Sequence, residues 1–360
     1  MSYLEKLLDG VEVEWRPLGL CTSILRGQRV TKRNLAPHKK FPVYSGGVTP
    51  MGFYEKNNQE AETITIVKYG TAGFVNFIKE DFWANDVCYC IKPKIILNNK
   101  YLYYYLKNNQ IEIQSRATDA IPAHLPTDEI TSFPVPIPTL EIQQKIVGIL
   151  DRFSELTAEL TAELTARKKQ YEYYREQLLT FKEGKVEWKT IKEIFELKNG
   201  YTPSKSNQEY WNNGTIPWFR MEDLRENGRI LSKSIQYITP SAIKGNKLFP
   251  ANSIIISTSA TIGEHALITV PFLANQRFTN LRLKSEYTDR FSIKFLFYYC
   301  FKLAEWCKQN ITIGNFAGVD MSMFKNTEIP IPSLEEQARI VSILDKFDTL
   351  TSSISEGLPR

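Results

Sequence analysis

No apolar run in this chain reaches the ~18 residues that a membrane-spanning helix needs. The opening Met-Ser-Tyr-Leu-Glu-Lys has neither the apolar core of a secretory signal nor the Arg/Ser bias of a transit peptide. Cysteine is scarce. Of the five, Cys88 and Cys90 stand one residue apart, and Cys300 and Cys307 belong to no CxxC. That odd number, without a secretion signal, reads as reduced, cytosolic thiols, and no metal site is expected. Catalytic signatures are missing as well. There is no GxGxxG and no GxxxxGK[ST], so nothing marks a dinucleotide or ATP-phosphate loop. Without Pro-Pro there is no Asn-Pro-Pro-aromatic motif of an adenine methyltransferase. Without Pro-Asp, Glu183-x-Lys185, Glu187-x-Lys189 and Glu196-x-Lys198 lack the rest of a common nuclease motif. His38, His124 and His265 lie in unrelated contexts, with no HExxH, and are expected to be structural; no catalytic residue is assigned.

What is present is ordinary in bulk and unusual in arrangement. The 360 residues, 42% apolar and 24% charged, suit two globular domains, and a net charge of +5 permits an acidic partner without demanding one. Between Leu140 and Lys182 there is no proline and one glycine. Ile146, Ile149, Leu150, Phe153, Leu156, Leu160, Leu164, Tyr171, Tyr174 and Leu178 recur there at steps of three, four and seven, one stripe of a helix. Such a helix is a rod of roughly 65 Å at ~1.5 Å per residue, long enough for a spacer or a coiled-coil arm.

A search for repeats sets the organisation. Ile137-Pro138-Thr139-Leu140-Glu141-Ile142-Gln143 matches Ile331-Pro332-Ser333-Leu334-Glu335-Glu336-Gln337 at a shift of 194, which also pairs Lys100–Tyr105 with Lys294–Tyr299. Val13-Glu14-Trp15 matches Val186-Glu187-Trp188, and Gly27 matches Gly200, at a shift of 173. An intermediate shift of 190 pairs Trp83–Asp86 with Leu273–Gln276 and Gly73 with Gly263. The chain is therefore one module and one long helix, duplicated, with 21 more residues in the second copy's middle. Like frames and unlike centres imply a shared scaffold presenting two different surfaces. Tyr3, Glu5, Leu7 and Leu8 also match Tyr174, Glu176, Leu178 and Leu179, so the chain is expected to open on the tail of a similar helix.

Within the first module, Ile24–Val30 and Ala61–Tyr69 read as strands and Tyr101–Gln114 as a helix. Arg26, Arg29, Lys32, Arg33, Lys39 and Lys40 follow one another without an acid, either as a solvated edge or as a nucleic-acid-facing loop. In the second module, Asn275-Gln276-Arg277 offers the side chains that bond bidentately to adenine or guanine in a major groove, with a surface loop as the bland alternative. Thr258 and Ser259 open a small polar segment suited to close approach of a partner. Lys68 and Asn85 in the first module, and Lys205 and Arg220 in the second, complete the candidate DNA-contacting set. The arm carries Thr-Ala-Glu-Leu twice, at 157–160 and 161–164, either as plain helix formers or as a length-setting ruler. The second arm, from Leu334 to Arg360, matches only 140 to about 166 of the first. The stripe around Tyr171, Tyr174 and Leu178 is accordingly expected to be open, either to the stub at Tyr3–Leu8 or to self-association with a second copy.

On these residues the chain resembles the specificity subunits of type I restriction-modification systems over essentially its full length. Ile137-Pro138-x-Leu140-Glu141-x-Gln143 and its copy at 331–337, Gly200-x-Thr202-Pro203-Ser204, Tyr210-Trp211-x-x-Gly214-x-Ile216-Pro217-Trp218 and Asn275-Gln276 carry the resemblance, and the tandem Thr-Ala-Glu-Leu resembles a subset of that family. It implies an α+β fold of two mixed, β-rich target-recognition domains in tandem, separated and followed by long helices that form an antiparallel coiled coil. The divisions are 1–139, 140–182, 183–333 and 334–360. Each domain would read one half of a split site in double-stranded DNA. Two modification subunits would dock on the helices, with Ile146, Leu150, Phe153, Leu160, Leu164, Tyr171, Tyr174, Leu178, Ile340, Leu344 and Phe347 as the docking and coiled-coil set. S-adenosylmethionine, ATP and Mg would reside in modification and restriction subunits, leaving this chain without a cofactor. One added tetrapeptide turns a helix by ~40°, close to the twist of one base pair, so an inserted Thr-Ala-Glu-Leu is expected to lengthen the preferred gap. Unchanged spacing in a methylation-site map of that insertion would refute the ruler. The competing classes are a self-contained DNA-modifying enzyme, a protein-binding coiled-coil scaffold without DNA binding, and a shortened subunit that acts only as a homodimer.

Overall fold

A computed structural model describes residues 13–182, 184–246, 248–313 and 317–357. The expected stub at Tyr3–Leu8 lies outside them. The chain divides into two compact units, Met1–Ala158 and Glu159–Arg360. The central helix runs Leu140–Leu178, so each unit takes one end of it.

The first unit is framed by an antiparallel pair, Glu14–Pro17 against Pro134–Ile137, with Trp15 opposite Pro136. Its main sheet has the order Thr22–Arg26, Cys88–Pro93, Thr63–Val67, Val75–Ile78, every neighbour antiparallel. Thr63–Val67 is β-branched throughout and buried at every position, as a central strand covered on both faces should be. A smaller sheet joins Phe53–Tyr54, Phe41–Tyr44 and Trp83–Ala84. The strand expected over Ile24–Val30 starts and stops earlier, because at Gly27 the chain leaves the sheet to pass against the carbonyls of Ala84 and Asn85. The helix expected over Tyr101–Gln114 is two, Asn99–Asn108 and Gln110–Ser115. Asn98 caps the first by accepting from Tyr101 N–H, and Asn109 breaks the run, its amide donating back to Tyr105 C=O at 2.8 Å.

The second unit repeats this plan. Glu187–Thr190 pairs with Glu328–Ile331, and the sheet runs Phe195–Asn199, Phe278–Leu283, Ser253–Ser257, His265–Ile268, with Ile230–Leu231 added in parallel at the edge. The extra length enters mainly between Phe219 and Ser253, as the helix Met221–Asn227 and that edge strand.

A fully buried glutamine fastens each module to its long helix. Gln143 donates to Ile96 C=O and Pro138 C=O at 3.0 and 2.8 Å and accepts from Asn98 N–H at 2.7 Å. Gln337 donates to Arg290 C=O and Pro332 C=O at 2.8 and 2.9 Å and accepts from Ser292 N–H at 2.8 Å. About two turns further along, Asp151 receives Lys100 and Tyr104, and Asp345 receives Lys294 and Tyr298, each within 2.7 Å.

The helical stripe needs two corrections. Phe153 and Leu156 are exposed, and the position buried against the first module is Val147. The face around Tyr171, Tyr174 and Leu178 is partly covered: Tyr171 is buried and Leu178 half-buried, while Tyr174 stays 42% exposed. In the second unit Tyr171 and Tyr174 stack on Phe347 at 5.8 and 5.6 Å. Tyr171 and Leu179 are buried with Phe295, Ile340 and Leu344 in one apolar cluster, and Leu178 packs against it. Ile146, Leu150, Leu160 and Leu164 are half-buried.

His265 is fully buried against Phe297 and Phe301, its Nδ1 facing Gly263 C=O. Burial, with Arg229 nearby, pushes its pKa down to about 3. The unfolded chain then holds a proton that the fold excludes at every pH between about 3 and 6.5. Stability of the second unit is expected to fall by about 1.4 kcal/mol per pH unit on acidification through that window. Chemical denaturation as a function of pH checks this: His265→Phe should flatten the slope, and an unaltered slope would assign it elsewhere.

Candidate nucleic-acid interface

In each unit one end of the main sheet gathers several loops, and the candidate residues divide between those that project there and those the fold consumes. At the first unit's end, the turn after Val67, the turn before Cys88 and the segment after Arg26 meet. Lys68 N–H donates to Val87 C=O at 2.7 Å, and Arg26 Nε donates to Asp86 C=O at 2.7 Å. The Lys68 ammonium lies over the rings of Tyr69 and Tyr89 at 5.5 and 5.3 Å.

Asn85 does not project. It is buried, its Oδ1 accepting from Val30 N–H at 3.1 Å and Asp86 N–H at 2.9 Å, its Nδ2 donating to Val30 C=O at 3.2 Å. An amide spent on two backbone loops has nothing left for a base. Of the basic run, Lys39 donates to Asn34 C=O at 2.6 Å and lies over Tyr54, and Lys40 lies over Phe41. Arg29, Lys32 and Arg33 are exposed, and no carboxylate among the described residues pairs with them.

The second unit's end is built from the same joints. Asn275 N–H donates to Phe219 C=O at 3.0 Å, as Asn85 N–H does to Tyr44 C=O at 2.9 Å. Asn275 Oδ1 accepts from Arg277 N–H at 3.0 Å, so its amide oxygen caps its own turn, while the side chain stays half-buried at the surface. Gln276 and Arg277 are exposed beyond it. Thr258 N–H donates to Arg277 C=O at 3.0 Å, and Val319 N–H donates to Thr258 C=O at 2.9 Å. A hydroxyl chain links Thr258, Thr279 and Asn199 at 3.2 and 2.9 Å. Ser259 is half-buried, its carbonyl accepting from Ser257 Oγ at 2.9 Å. Thr202 Oγ1 donates to Gln276 Oε1 at 2.5 Å and ties the 201–211 loop to this edge. Two indoles hold that loop, Trp211 Nε1 on Ser204 C=O and Trp218 Nε1 on Tyr201 C=O, and Lys205 is exposed on it. Arg220 has its charge met within the protein, 3.6 Å from Glu222.

Sequence reasoning missed Tyr69 and His124, whose rings stack at 5.5 Å on the first edge, and the hairpin Ile311–Ile313 with Ala317–Val319 beside Ser259 on the second. A signal existed only in the copies: the bridges Tyr69 to His124 and Ser259 to Gly318 occupy matching places. Exposed Arg and Lys in the first unit, and exposed Lys205, Gln276 and Arg277 in the second, lie on the loops described. Among the described residues no cluster of His, Cys, Asp and Glu is arranged to hold a metal ion, and no helix is long and apolar enough to cross a membrane.

Comparison with known proteins places these features. The model of the type I restriction modification DNA specificity domain matches residues 12–167 and again 183–360. The chain is 63% identical over 174 residues to the type I restriction enzyme EcoprrI specificity subunit of Escherichia coli, a match spanning 46% of this chain and 43% of that relative. It is 40% identical over 391 aligned positions to the EcoR124I/EcoR124II specificity subunit of Escherichia coli, covering 100% of this chain and 93% of the relative. The crystal structure of the type I restriction-modification system S subunit from M. genitalium matches with a TM-score of 0.64 at 17% identity, over 97% of this chain and 92% of that one. At that identity the likeness speaks for the fold.

Proposed function

Because the chain belongs to the family of type I restriction-modification specificity subunits, we propose that it reads a bipartite, asymmetric site in double-stranded DNA, one unit per half. The carrying observation is the match of frames beside the mismatch of tips. The joints around Asn85 and Asn275 are alike, while the residues just beyond them are Asp86-Val87 in one unit and Gln276-Arg277 in the other. Equal scaffolds with unequal tips suit a target whose halves differ. Gln276 and Arg277 are the base-reading candidates of the second half, where a bidentate contact is worth ~1–3 kcal/mol. Arg29, Lys32, Arg33 and Lys205 serve phosphates, which position the subunit without reading sequence.

In this reading the chain is the non-catalytic subunit. Modification subunits dock on its long helices, restriction subunits join the full complex, and S-adenosylmethionine, ATP and Mg belong to those partners. Of the docking and coiled-coil residues, Phe153 and Tyr174 are exposed and available to such a subunit.

The scaffold alternative differs in one measurable respect. The assembled complex is expected to lose DNA affinity steeply with salt, and Arg29→Ala, Lys32→Ala and Arg33→Ala together should reduce the slope of log K against log salt by about 3. Titrations at several salt concentrations decide it, since a scaffold gives no salt-dependent DNA binding at all.

A further inference from the structure

The two sheet ends carry their long donor side chains on different turns. In the second unit the turn after Asn275 presents Gln276 and Arg277, and the neighbouring turn holds only the short hydroxyls of Thr258 and Ser259. In the first unit the contrast is reversed. Beyond Asn85 stand Asp86 and Val87, whose side chains have no proton to donate at neutral pH. The neighbouring turn presents Lys68 and Tyr69, and His124 is bridged to Tyr69 where Gly318 is bridged to Ser259.

Backbone bonds clamp this turn of the first unit from both sides. Leu125 N–H donates to Lys68 C=O at 2.8 Å, Gly70 N–H to Ala123 C=O at 3.3 Å and Thr71 N–H to Gly46 C=O at 2.9 Å. On that support the rings of Tyr69 and His124 stack, 5.5 Å apart and 20° from parallel. Thr118 orients the imidazole. Its Oγ1 accepts from His124 N–H at 3.3 Å and lies 2.8 Å from His124 Nδ1. A hydroxyl that accepts there gives its own proton to Nδ1, so the ring carries its proton on Nε2. Among the described residues no hydrogen bond engages Nε2 or the Tyr69 hydroxyl, and both side chains are half-buried, with part of each facing outward.

We propose that Tyr69 and His124 are specificity-determining residues of the first unit and that together they read a guanine. The major-groove edge of guanine offers two acceptors, N7 and O6, and no donor. Adenine replaces one of them with an amino group, thymine sets one acceptor beside a methyl, and cytosine offers a donor alone. A fixed N–H on Nε2 and a phenol hydroxyl on one clamped stack therefore favour guanine over the other three. Lys68, its ammonium over the Tyr69 ring at 5.5 Å, adds a cation beside the pair, suited to a neighbouring phosphate. The inference rests on the two-half DNA reading and supplies the first half with the base readers that Gln276 and Arg277 provide for the second.

The test is the methylome of a host that co-expresses the modification subunit with the full chain, native or carrying Tyr69→Phe, His124→Phe or His124→Gln. Tyr69→Phe keeps the ring and its stack and removes only the hydroxyl. His124→Gln keeps a donor near the place of Nε2, which His124→Phe removes. The native complex is expected to require a guanine at one position of one half, on either strand. Tyr69→Phe and His124→Phe should each lower the preference for guanine over adenine at that position by about tenfold. His124→Gln should keep most of it, and the other half should not change. A split motif that no variant alters, a loss of methylation spread evenly over all targets, or relaxation at a base other than guanine would overturn the proposal and leave the two-half reading standing. A symmetric motif for the native complex would remove that reading and the proposal with it.

Discussion

Gln337→Leu is expected to destabilise the second unit by about 4 kcal/mol while leaving the first untouched. The substitution is close to isosteric, so little cavity forms. It strips the partner from three backbone groups, the buried carbonyl of Pro332 and the part-buried carbonyl of Arg290 and N–H of Ser292. Each group left unsatisfied costs ~1–3 kcal/mol. Arg290 and Ser292 lead into the helix Ile293–Gln309, so the same loss loosens the module from its arm. Gln143→Leu should do the same to the first unit through Ile96, Pro138 and Asn98. Hydrogen exchange resolved by peptide is the suitable measurement, because a chain of two units need not unfold in one step. Equal, unit-specific losses of protection are expected. Neutral substitutions would mean that these carbonyls find other donors.

The second large effect lies at Gly200. A Cβ there would stand 2.2 Å from the carbonyl oxygen of Ala274 and 2.3 Å from that of Asn275. Both are backbone atoms of the turn that presents Gln276 and Arg277, so no side-chain rotation relieves the clash. Gly200→Ala must displace that turn, at about 1–3 kcal/mol of strain. In the DNA-reading account it also forfeits the contacts of Gln276 and Arg277, ~1–3 kcal/mol each, which lowers methylation of the native target at least thirtyfold. Gly27 meets Ala84 and Asn85 at 2.4 and 2.2 Å, and Gly27→Ala should impair the other half of the site. Methylation rates on targets altered in one half at a time separate the two. A Gly200→Ala protein that retains its exchange protection and methylates normally would remove this edge from recognition.

The duplicated plan was legible because identical short strings stand at constant offsets, and those strings turn out to be joints: Trp15 and Trp188 in the frame pairs, Gln143 and Gln337 at the helix starts. Other features were not legible, for reasons that lie in the side chains. An asparagine in a polar loop reads the same whether it faces a base or its own backbone, and Asn85 and Asn275 face their own turns. Helical periodicity gives a stripe but not the arc a module covers. Val147 lies one residue, or ~100°, from Ile146, and it is the one buried. Tyr171 and Leu178 were expected to be open because the second arm is short in sequence, whereas the first turns of that arm, with Ile340, Leu344 and Phe347, and Phe295 of the module are enough to cover them. The stack of Tyr69 on His124 joins residues far apart in the chain, and no local pattern announces it.

The central claim is that two like frames with unlike tips read two different half-sites. Sequencing the methylated adenines of a host that co-expresses this chain with its modification subunit tests it most directly. The account predicts a split, asymmetric motif, with Arg277→Ala relaxing the sequence requirement in one half alone. A symmetric motif, or a motif that Arg277→Ala changes equally in both halves, would contradict it.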